Sequence, residues 1–563
     1  MEAREAGDVL KLVAVVVGVL SGLPAVGPWM SAGPAADVAD EGRWLAPFDG
    51  EVPAVNMVLM HDGSVLYWSG VDDHDGATVP FFVDSPHPAH ARVVDFAGPV
   101  AVVRTPTPHD GGAGDMFCAG QTVLADGSVL VVGGTEYVPL VPFTDGWHVY
   151  GLNSARRFDP ATDAFATQQP MVGWRWYPTA LTLPDGSALV ASGIADLPYP
   201  QTHVTFQERF DPATRTWSVL PPGADNLLPL YPRLFVVPSG PLKGDVYYAP
   251  VGCLWCPFGA HPAEALWNLD QSLDLQANAW TIHGPALLGA RQHGTAVPLL
   301  LQPPAYDMTL LTAGGTLNRM VFATNTAELA SLAGATPVHA FAAPMTHARW
   351  HHNSVLLPTG EVLAVGGGML DNVVAYSAEN PPVLEAEVFD PAGTDPLTGL
   401  PGRWTELAPM QVPRMYHSTA LLLPDGRVLV GGHVPLPFIQ ALIPQVTEER
   451  LEVFEPPYLF RGPRPIIADA PADVAYGAAF AVGTPDAASI ASAVLMRPGA
   501  VTHAYDNEQR GIVLTMEGRS SDALSLRAPP DGDVAPPGYY MLFLLRETPE
   551  GPVPSEARFV RLA

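Results

Sequence analysis

ADGSVLVVGG, the stretch from Ala125 to Gly134, is one copy of a pattern that recurs along the chain. Each copy joins two apolar runs by a tight turn and closes with small residues. This order is typical of a β-hairpin, because Asp-Gly pairs favour the turn and the apolar runs favour buried strands. The other copies are HDGSVLYWSG from His61, PDGSALVASG from Pro184, KGDVYYAPVG from Lys243, YDMTLLTAGG from Tyr306, PTGEVLAVGGG from Pro358 and PDGRVLVGGH from Pro424.

The spacing of these hairpins predicts a repeated architecture. Neighbouring turns lie 52 to 66 residues apart, which leaves room for about four short strands in each unit. Such a unit is typical of a kelch-like blade, so the seven copies predict a seven-bladed β-propeller. The alternative, a set of unrelated β-hairpins, does not account for the spacing. The 53 glycines and 61 prolines also favour an all-β chain over a helical one.

A chain of 563 residues is long enough for more than one domain. The repeat stops after Gly432, and the C-terminal hundred or so residues contain short apolar runs separated by turn residues. That pattern is typical of a small Ig-like β-sandwich. We therefore predict an N-terminal segment over residues 1–42, a propeller over 43–462 and a C-terminal sandwich over 463–563.

The N-terminal segment holds an apolar run from Leu10 to Gly27. This run is too short and too interrupted by proline to predict a stable membrane span. It has the character of a signal-peptide core, but Glu2, Glu5 and Asp8 stand where a basic region is usual. We therefore expect an extracellular or cell-surface location, although this segment alone does not decide it.

The charge balance argues against one class of partner. The chain has 57 acidic and 28 basic residues, which gives a formal net charge of −29. A surface of that sign repels phosphate backbones and anionic lipids. We expect no nucleic-acid partner and no binding to anionic membranes.

Four short motifs supply candidate metal ligands: FCAG with Cys118, RWYPT with Tyr177, RMYHS with Tyr416 and His417, and TH with His503. Cys118, Tyr177 and His417 each lie eight residues before an Asp-Gly turn. Equivalent positions in successive blades meet at one end of a propeller axis, so these side chains should converge. His503 lies in the C-terminal domain and must reach the axis on a loop. Two imidazoles and two phenols are nitrogen and oxygen donors that suit Cu(II).

Three other residues could also bind a metal, but their sequence context gives a weaker indication of a site. His351 has the same register ahead of its turn. One interpretation is that it neighbours the site; we favour the other, a rim histidine that hydrogen bonds satisfy. Cys253 and Cys256 form a CLWC pair without histidine partners at zinc-site spacing. We expect a local disulfide or an unreactive thiol pair there.

These motifs resemble those of the galactose oxidase and glyoxal oxidase family of copper radical oxidases. The likeness extends from about Arg43 to Ala563, and RWYPT is closer to the glyoxal oxidase branch. The motifs that carry it are FCAG from Phe117, RWYPT from Arg175, R-x-YHS from Arg414, and TH…N-x-QR with Thr502, His503, Asn507, Gln509 and Arg510.

The resemblance implies a function and a role for each residue. Cys118 would be joined by a thioether bond to the ring of Tyr177, which would bind copper and hold a radical. Tyr416 would be the axial ligand and base, and His417 and His503 the equatorial ligands. The implied enzyme is a monomer that oxidises a small aldehyde, as its hydrate, or a primary alcohol. Dioxygen is the electron acceptor and leaves as hydrogen peroxide.

The sequence departs from the galactose branch at one position. In the galactose branch a tryptophan shortly after the third hairpin copy covers the thioether bond. This chain reads SGIADL from Ser192 at that place and has no tryptophan there. Trp174, Tyr199 and Trp350 are weak candidates for a replacement. A second function also stays open, because a propeller can keep these ligands and act only as a binding module for a glycan or protein.

Overall fold

The computed structural model describes residues 37–69, 91–96, 101–107, 116–137, 149–197, 202–253, 264–317, 320–370, 380–433 and 448–563. The apolar run from Leu10 to Gly27, Tyr199 and Cys256 lie outside these residues. Strands far outnumber helices in the described chain, so the all-β prediction is confirmed. None of its helices has the length and apolar character that a membrane crossing needs. The helical elements are Val38–Glu41, Glu264–Trp267 and the 3-10 turns Pro222–Ala224, Gly240–Leu242, Pro457–Phe460 and Ala487–Ser489.

The repeated hairpins form where the sequence predicts them. In the second copy the strands Gly120–Val123 and Val129–Val132 pair antiparallel across the Asp126-Gly127 turn. The Asp126 carboxylate accepts hydrogen bonds from the backbone N–H (3.0 Å) and hydroxyl (2.6 Å) of Ser128. Gly127 has φ +84°, a left-handed conformation that glycine adopts without steric cost. The turn residues therefore set the hairpin register.

Each hairpin supplies the first two strands of an antiparallel sheet of the propeller. These two strands are almost entirely buried, whereas the outermost strands are largely exposed. Seven such sheets occur in the described part of the chain, while the number of blades stays a prediction. Their strands are Asn56–Leu59, Val65–Trp68, Ala91–Asp95 and Val102–Arg104; Gly120–Val123, Val129–Val132, Ala155–Asp159 and Ala164–Thr167; Thr179–Thr182, Ala188–Ala191, Glu208–Asp211 and Thr216–Val219; Arg233–Val236, Val246–Ala249, Leu269–Asp274 and Ala279–Pro285; Thr295–Pro298, Thr309–Ala313, Ala327–Ser331 and Val338–Ala342; Asn353–Leu356, Val362–Val365, Glu385–Thr394 and Pro401–Pro409; Ser418–Leu422, Val428–Gly432, Arg450–Glu455, Arg43–Trp44 and Phe48–Asp49.

The last of these sheets joins the two ends of the repeat region. Arg43–Trp44 and Phe48–Asp49 both pair antiparallel with Arg450–Glu455. A strand from the start of the region thus completes its last sheet, which covers an edge that would otherwise be open to other chains. Two three-stranded sheets lie between the main ones: Thr135–Tyr137, Val149–Gly151 and Asp196–Leu197; and Val251–Gly252, Arg291–Gln292 and Thr316–Leu317.

The C-terminal part forms a β-sandwich, as predicted, and inserts one hairpin into the propeller. The hairpin strands Ala500–Thr502 and Tyr505–Asp506 extend the sheet of Asn56–Leu59. The two sandwich sheets pack over a buried apolar core that includes Leu524 and Leu542. Their strands are Asp473–Val474, Ile490–Met496, Gly511–Val513, Gly538–Thr548, Gly551–Pro554 and Arg558–Leu562; and Ala479–Gly483, Thr515–Arg519 and Ala523–Arg527.

A buried ion pair recurs in four of the propeller sheets. In each, an arginine ahead of the first strand pairs with a glutamate on the third strand, and neither side chain is more than 2% exposed. Each arginine also donates to a backbone carbonyl at the end of the second strand. One guanidinium therefore ties together three strands and the corner before them. The pairs are Arg175–Glu208, Arg291–Glu328 and Arg349–Glu387 at 2.7 Å, and Arg414–Glu452 at 3.4 Å.

We predict that Glu387→Gln destabilises the fold by about 3–5 kcal/mol, because it leaves the buried Arg349 guanidinium without its counter-charge. Chemical denaturation followed by circular dichroism measures the change. As a control, Asp473→Asn disrupts the exposed Arg561–Asp473 pair and should cost about 1 kcal/mol or less. Equal effects of the two substitutions would contradict a structural role for the buried pair.

Candidate active site

Six side chains of the propeller share one corner position. Each precedes the first strand of its sheet, by two residues or, for His417, by one. All have the left-handed backbone conformation, which is uncommon for residues other than glycine and concentrates at functional sites. Their φ angles, among the described residues, are Cys118 60°, Tyr177 61°, Tyr231 45°, His293 48°, His351 59° and His417 66°.

The predicted site residues of the propeller meet at these corners. The hydroxyl groups of Tyr177 and Tyr416 are hydrogen bonded to each other. The Tyr177 N–H donates to the carbonyl of Cys118 at 3.1 Å, so the two corners lie side by side. The ring of His417 lies 3.8 Å from that of Tyr416, centroid to centroid. These side chains lie close together, as their shared register predicts.

His503 completes the group from the C-terminal domain. It lies at the tip of the hairpin that extends the first propeller sheet. Its Nε2 is 3.0 Å from the Tyr177 hydroxyl and 3.8 Å from Cys118 Sγ. The sequence therefore placed this residue correctly on an inserted loop. The ligand atoms of Cys118, His417 and His503 all lie within 4.8 Å of one another, a separation that one metal ion can bridge.

Thr502 fixes the tautomer of His503. The Thr502 hydroxyl donates to the carbonyl of Val55 (3.1 Å) and lies 2.7 Å from His503 Nδ1. Because that hydroxyl proton is already used, the hydroxyl oxygen must accept from Nδ1–H. The lone pair of Nε2 therefore faces Tyr177, as a metal ligand requires.

Burial keeps this group uncharged. Burial raises the pKa of the Tyr177 phenol well above its usual value, and the neighbouring Cys118 and Tyr416 raise it further. Burial also lowers the pKa of His503 far below its usual value, and the adjacent His417 and His351 add to this. Neutral imidazoles are ready to bind a metal, whereas phenols need a nearby cation to ionise. These donors thus fit a Cu(II) ion, whose charge would offset the phenolates.

Both faces of the Tyr177 ring are covered by aromatic side chains. Trp176 stacks on it with centroids 3.9 Å apart and planes 13° apart, and Tyr231 stacks at 4.5 Å and 29°. Two rings at these distances cannot share one face, so they lie on opposite sides. Two of the three expected replacements lie elsewhere: Trp174 is 46% exposed, and Trp350 stacks beside Tyr416 at 6.1 Å. Tyr199, the third, lies outside the described residues.

The sequence reasoning missed Trp176 and misjudged His351. Neighbouring residues in an extended chain point to opposite sides, and only the left-handed conformation of Tyr177 brings Trp176 over its ring. His351 is fully buried, and neither ring nitrogen has a hydrogen-bond partner among the described residues. The interpretation of His351 as a hydrogen-bonded rim residue is therefore wrong.

Family models and individual relatives match this chain. The family model described as glyoxal oxidase N-terminus matches residues 314–458, and the galactose oxidase-like early set domain matches residues 464–562. An aldehyde oxidase from Vitis pseudoreticulata is 29% identical over 80% of this chain and 82% of its own length. A galactose oxidase from Gibberella zeae is 26% identical over 92% of this chain and 70% of its own.

A solved structure shares the fold. A fungal alcohol oxidase in complex with copper superposes with a TM-score of 0.70 and 22% identity. The match covers 93% of this chain and all of that one. The arrangement of sheets and C-terminal sandwich is therefore that of an experimentally known architecture.

Proposed function

We propose that this chain, which belongs to the galactose oxidase and glyoxal oxidase family of copper radical oxidases, oxidises a small aldehyde hydrate or primary alcohol with dioxygen. The observation that carries the proposal is the convergence of Tyr177, Tyr416 and His503, with Cys118 and His417 beside them. A binding-only propeller has no need to bury this set of donors together. We further propose that the enzyme is secreted and acts as a monomer.

Tyr177, Tyr416, His417 and His503 would hold the copper ion. Their donors are two phenol oxygens and two imidazole nitrogens, a set that suits tetragonal Cu(II) better than zinc or magnesium. When bound, the copper ion would accept one electron and lower the pKa of a substrate hydroxyl. The buried setting excludes bulk water and so strengthens every electrostatic interaction between these groups.

Tyr416 is the proposed base. Its hydroxyl group contacts that of Tyr177, and both side chains are buried. We propose that the substrate hydroxyl lies on the Tyr416 side of the site. As a phenolate, Tyr416 would receive the proton of the substrate hydroxyl at Oη.

Tyr177 is the proposed second electron store. Oxidising an alcohol to an aldehyde removes two electrons and two protons, and dioxygen takes up the same number to become hydrogen peroxide. A bound copper ion would have capacity for one of these electrons, so the protein itself would have to hold the other. A thioether bond to Cys118 would make the Tyr177 phenol easier to oxidise, and the stacked Trp176 and Tyr231 rings would shield it from solvent.

Copper binding is expected at one ion per chain, and it should depend on the inserted hairpin. His503→Ala removes a ligand and should abolish stoichiometric binding. Thr502→Val keeps His503 but removes the hydroxyl that holds the proton on its Nδ1, so we expect copper to bind about 10–100-fold more weakly. Competition titrations with a copper chelator, with elemental analysis of the loaded protein, provide the measurement. Zinc, or no metal, in copper-exposed wild-type protein would favour the binding-module alternative.

The thioether predicts a change in covalent mass. Copper-matured protein exposed to air should be lighter by two hydrogen atoms than the unmatured chain, because one S–H and one C–H bond become one S–C bond while dioxygen accepts the electrons. Cys118→Ala should abolish the change. Cys253→Ala, at the other cysteine of the same buried apolar cluster, should retain it. A Cys118 thiol that alkylates freely after unfolding of the matured protein would refute the cross-link.

The substrate preference is expected to follow the glyoxal-type relatives. Small aldehydes and simple primary alcohols should release hydrogen peroxide faster than galactose in an oxygen-dependent assay. Tyr177→Phe should be inactive, because it cannot be deprotonated or give up an electron at the same position. Tyr248→Phe is the matched control, since Tyr248 is a buried tyrosine of the propeller whose hydroxyl donates to the carbonyl of Trp267. Galactose as the best substrate, or full activity of Tyr177→Phe, would overturn the assignment.

A further inference from the structure

His351 lies beside the candidate copper ligands without being one of the predicted set. Its ring centroid is 4.9 Å from that of Tyr416 and 6.1 Å from that of His503. The ring of His293 lies 4.7 Å away on another side. The corner conformation and the Arg349–Glu387 ion pair two residues earlier fix the position of this side chain. His351 is thus a rigidly placed imidazole on the Tyr416 side of the site.

Among the described residues, neither ring nitrogen of His351 makes a hydrogen bond of the kind that Tyr231 and His352 each make. Tyr231 donates its hydroxyl to the carbonyl of Ala119 at 3.0 Å, and the adjacent His352 has its Nε2 3.2 Å from the Thr295 hydroxyl. Both nitrogens of His351 are buried and have no protein partner in the described ranges. Buried polar groups are rarely left unpaired, because desolvation without a new hydrogen bond costs free energy. Exceptions of this kind suggest that a bound molecule supplies the partner.

We infer that His351 is a substrate-positioning residue that binds the second hydroxyl group of an aldehyde hydrate while the first hydroxyl lies beside Tyr416. This inference rests on the proposed oxidase function and names the substrate class of that same site. A neutral imidazole offers one N–H donor and one acceptor, which match the acceptor and donor of a hydroxyl group. Both hydroxyls of a hydrate sit on the reacting carbon, so holding the second one also fixes the C–H bond that must be broken.

A simple primary alcohol lacks that second hydroxyl. It would leave His351 buried and unpaired, so the site should discriminate against it. Sites built to hydrogen-bond a substrate hydroxyl reject analogues without it far more strongly than apolar pockets reject a missing methylene. His351 would therefore make the enzyme prefer hydrated aldehydes over alcohols of the same size.

Equilibrium binding tests the inference without turnover. The ligand is 1,1,1-trifluoroacetone, which is hydrated in water and has no hydrogen on its diol carbon, so it cannot be oxidised. Its partner is 2-trifluoromethyl-2-propanol, in which a methyl group replaces one hydroxyl. Calorimetry with copper-loaded wild-type protein should show the hydrate binding about tenfold or more tightly than the tertiary alcohol. Equal affinities, or no binding of either ligand, would overturn the inference.

Variants test whether His351 causes the preference for the hydrate over the tertiary alcohol. His351→Phe keeps the ring shape but removes both nitrogens, so it should bind the two ligands equally. His351→Asn keeps one donor and one acceptor and should restore part of the preference. His347→Phe alters a partly exposed histidine four residues earlier, whose Nε2 faces Glu406 at 3.0 Å, and should behave as wild type. Copper content is measured for each variant, and a His351→Phe protein that retains copper and the full preference would also overturn the inference.

Steady-state kinetics separate this inference from the proposed function. In His351→Phe the kcat/KM for a small aldehyde should fall about tenfold or more, while the kcat/KM for ethanol stays the same. Equal losses for aldehyde and alcohol would remove His351 from substrate selection and leave the oxidase assignment intact. Copper-loaded wild-type protein that releases no peroxide from any aldehyde or alcohol would instead refute the oxidase function itself.

Discussion

The arrangement of the site depends on a buried arginine that pairs with a glutamate across the strands of a sheet. Arg175, Arg291 and Arg349 each stand two residues before a corner residue, and Arg414 stands three before His417. A charge that is removed from water must be paired closely, so these guanidinium groups have little freedom to move. The interaction that holds the strands together therefore also holds Tyr177, His293, His351 and His417 in place.

The C-terminal domain supplies His503, the proposed ligand that the propeller does not provide. The hairpin that carries His503 is fixed on its sandwich side by the Arg497–Glu508 ion pair and by hydrogen bonds from the N–H groups of Ala500 and Glu508 to Asp506. Arg510 donates to the carbonyl of Val236 on the propeller side. The hairpin is thus anchored in both parts of the protein, and the complete set of donors exists only when both are folded and joined.

The sequence predicts the fold and most of the candidate site because one rule, the distance from corner to turn, applies in several sheets. Cys118, Tyr177 and His417 obey it, and their convergence follows. The rule misses Tyr231 and His293, since longer segments separate the first two strands of their sheets. Trp176 is missed for another reason, because strand alternation fails where Tyr177 adopts a left-handed conformation. Local departures from regular geometry, and not the overall topology, limit the prediction.

The packing around Tyr177 explains how one ring can serve two purposes. Trp176 and Tyr231 cover its faces, so only its edge and its hydroxyl group remain available. The hydroxyl contacts Tyr416 and His503, which leaves the edge for a bond to Cys118 on the adjacent corner. Electron-rich rings stacked on both faces also stabilise positive charge that develops when the phenol loses an electron. The same two neighbours would therefore leave only the ring edge for the proposed cross-link and would favour oxidation of the ring once that bond had formed.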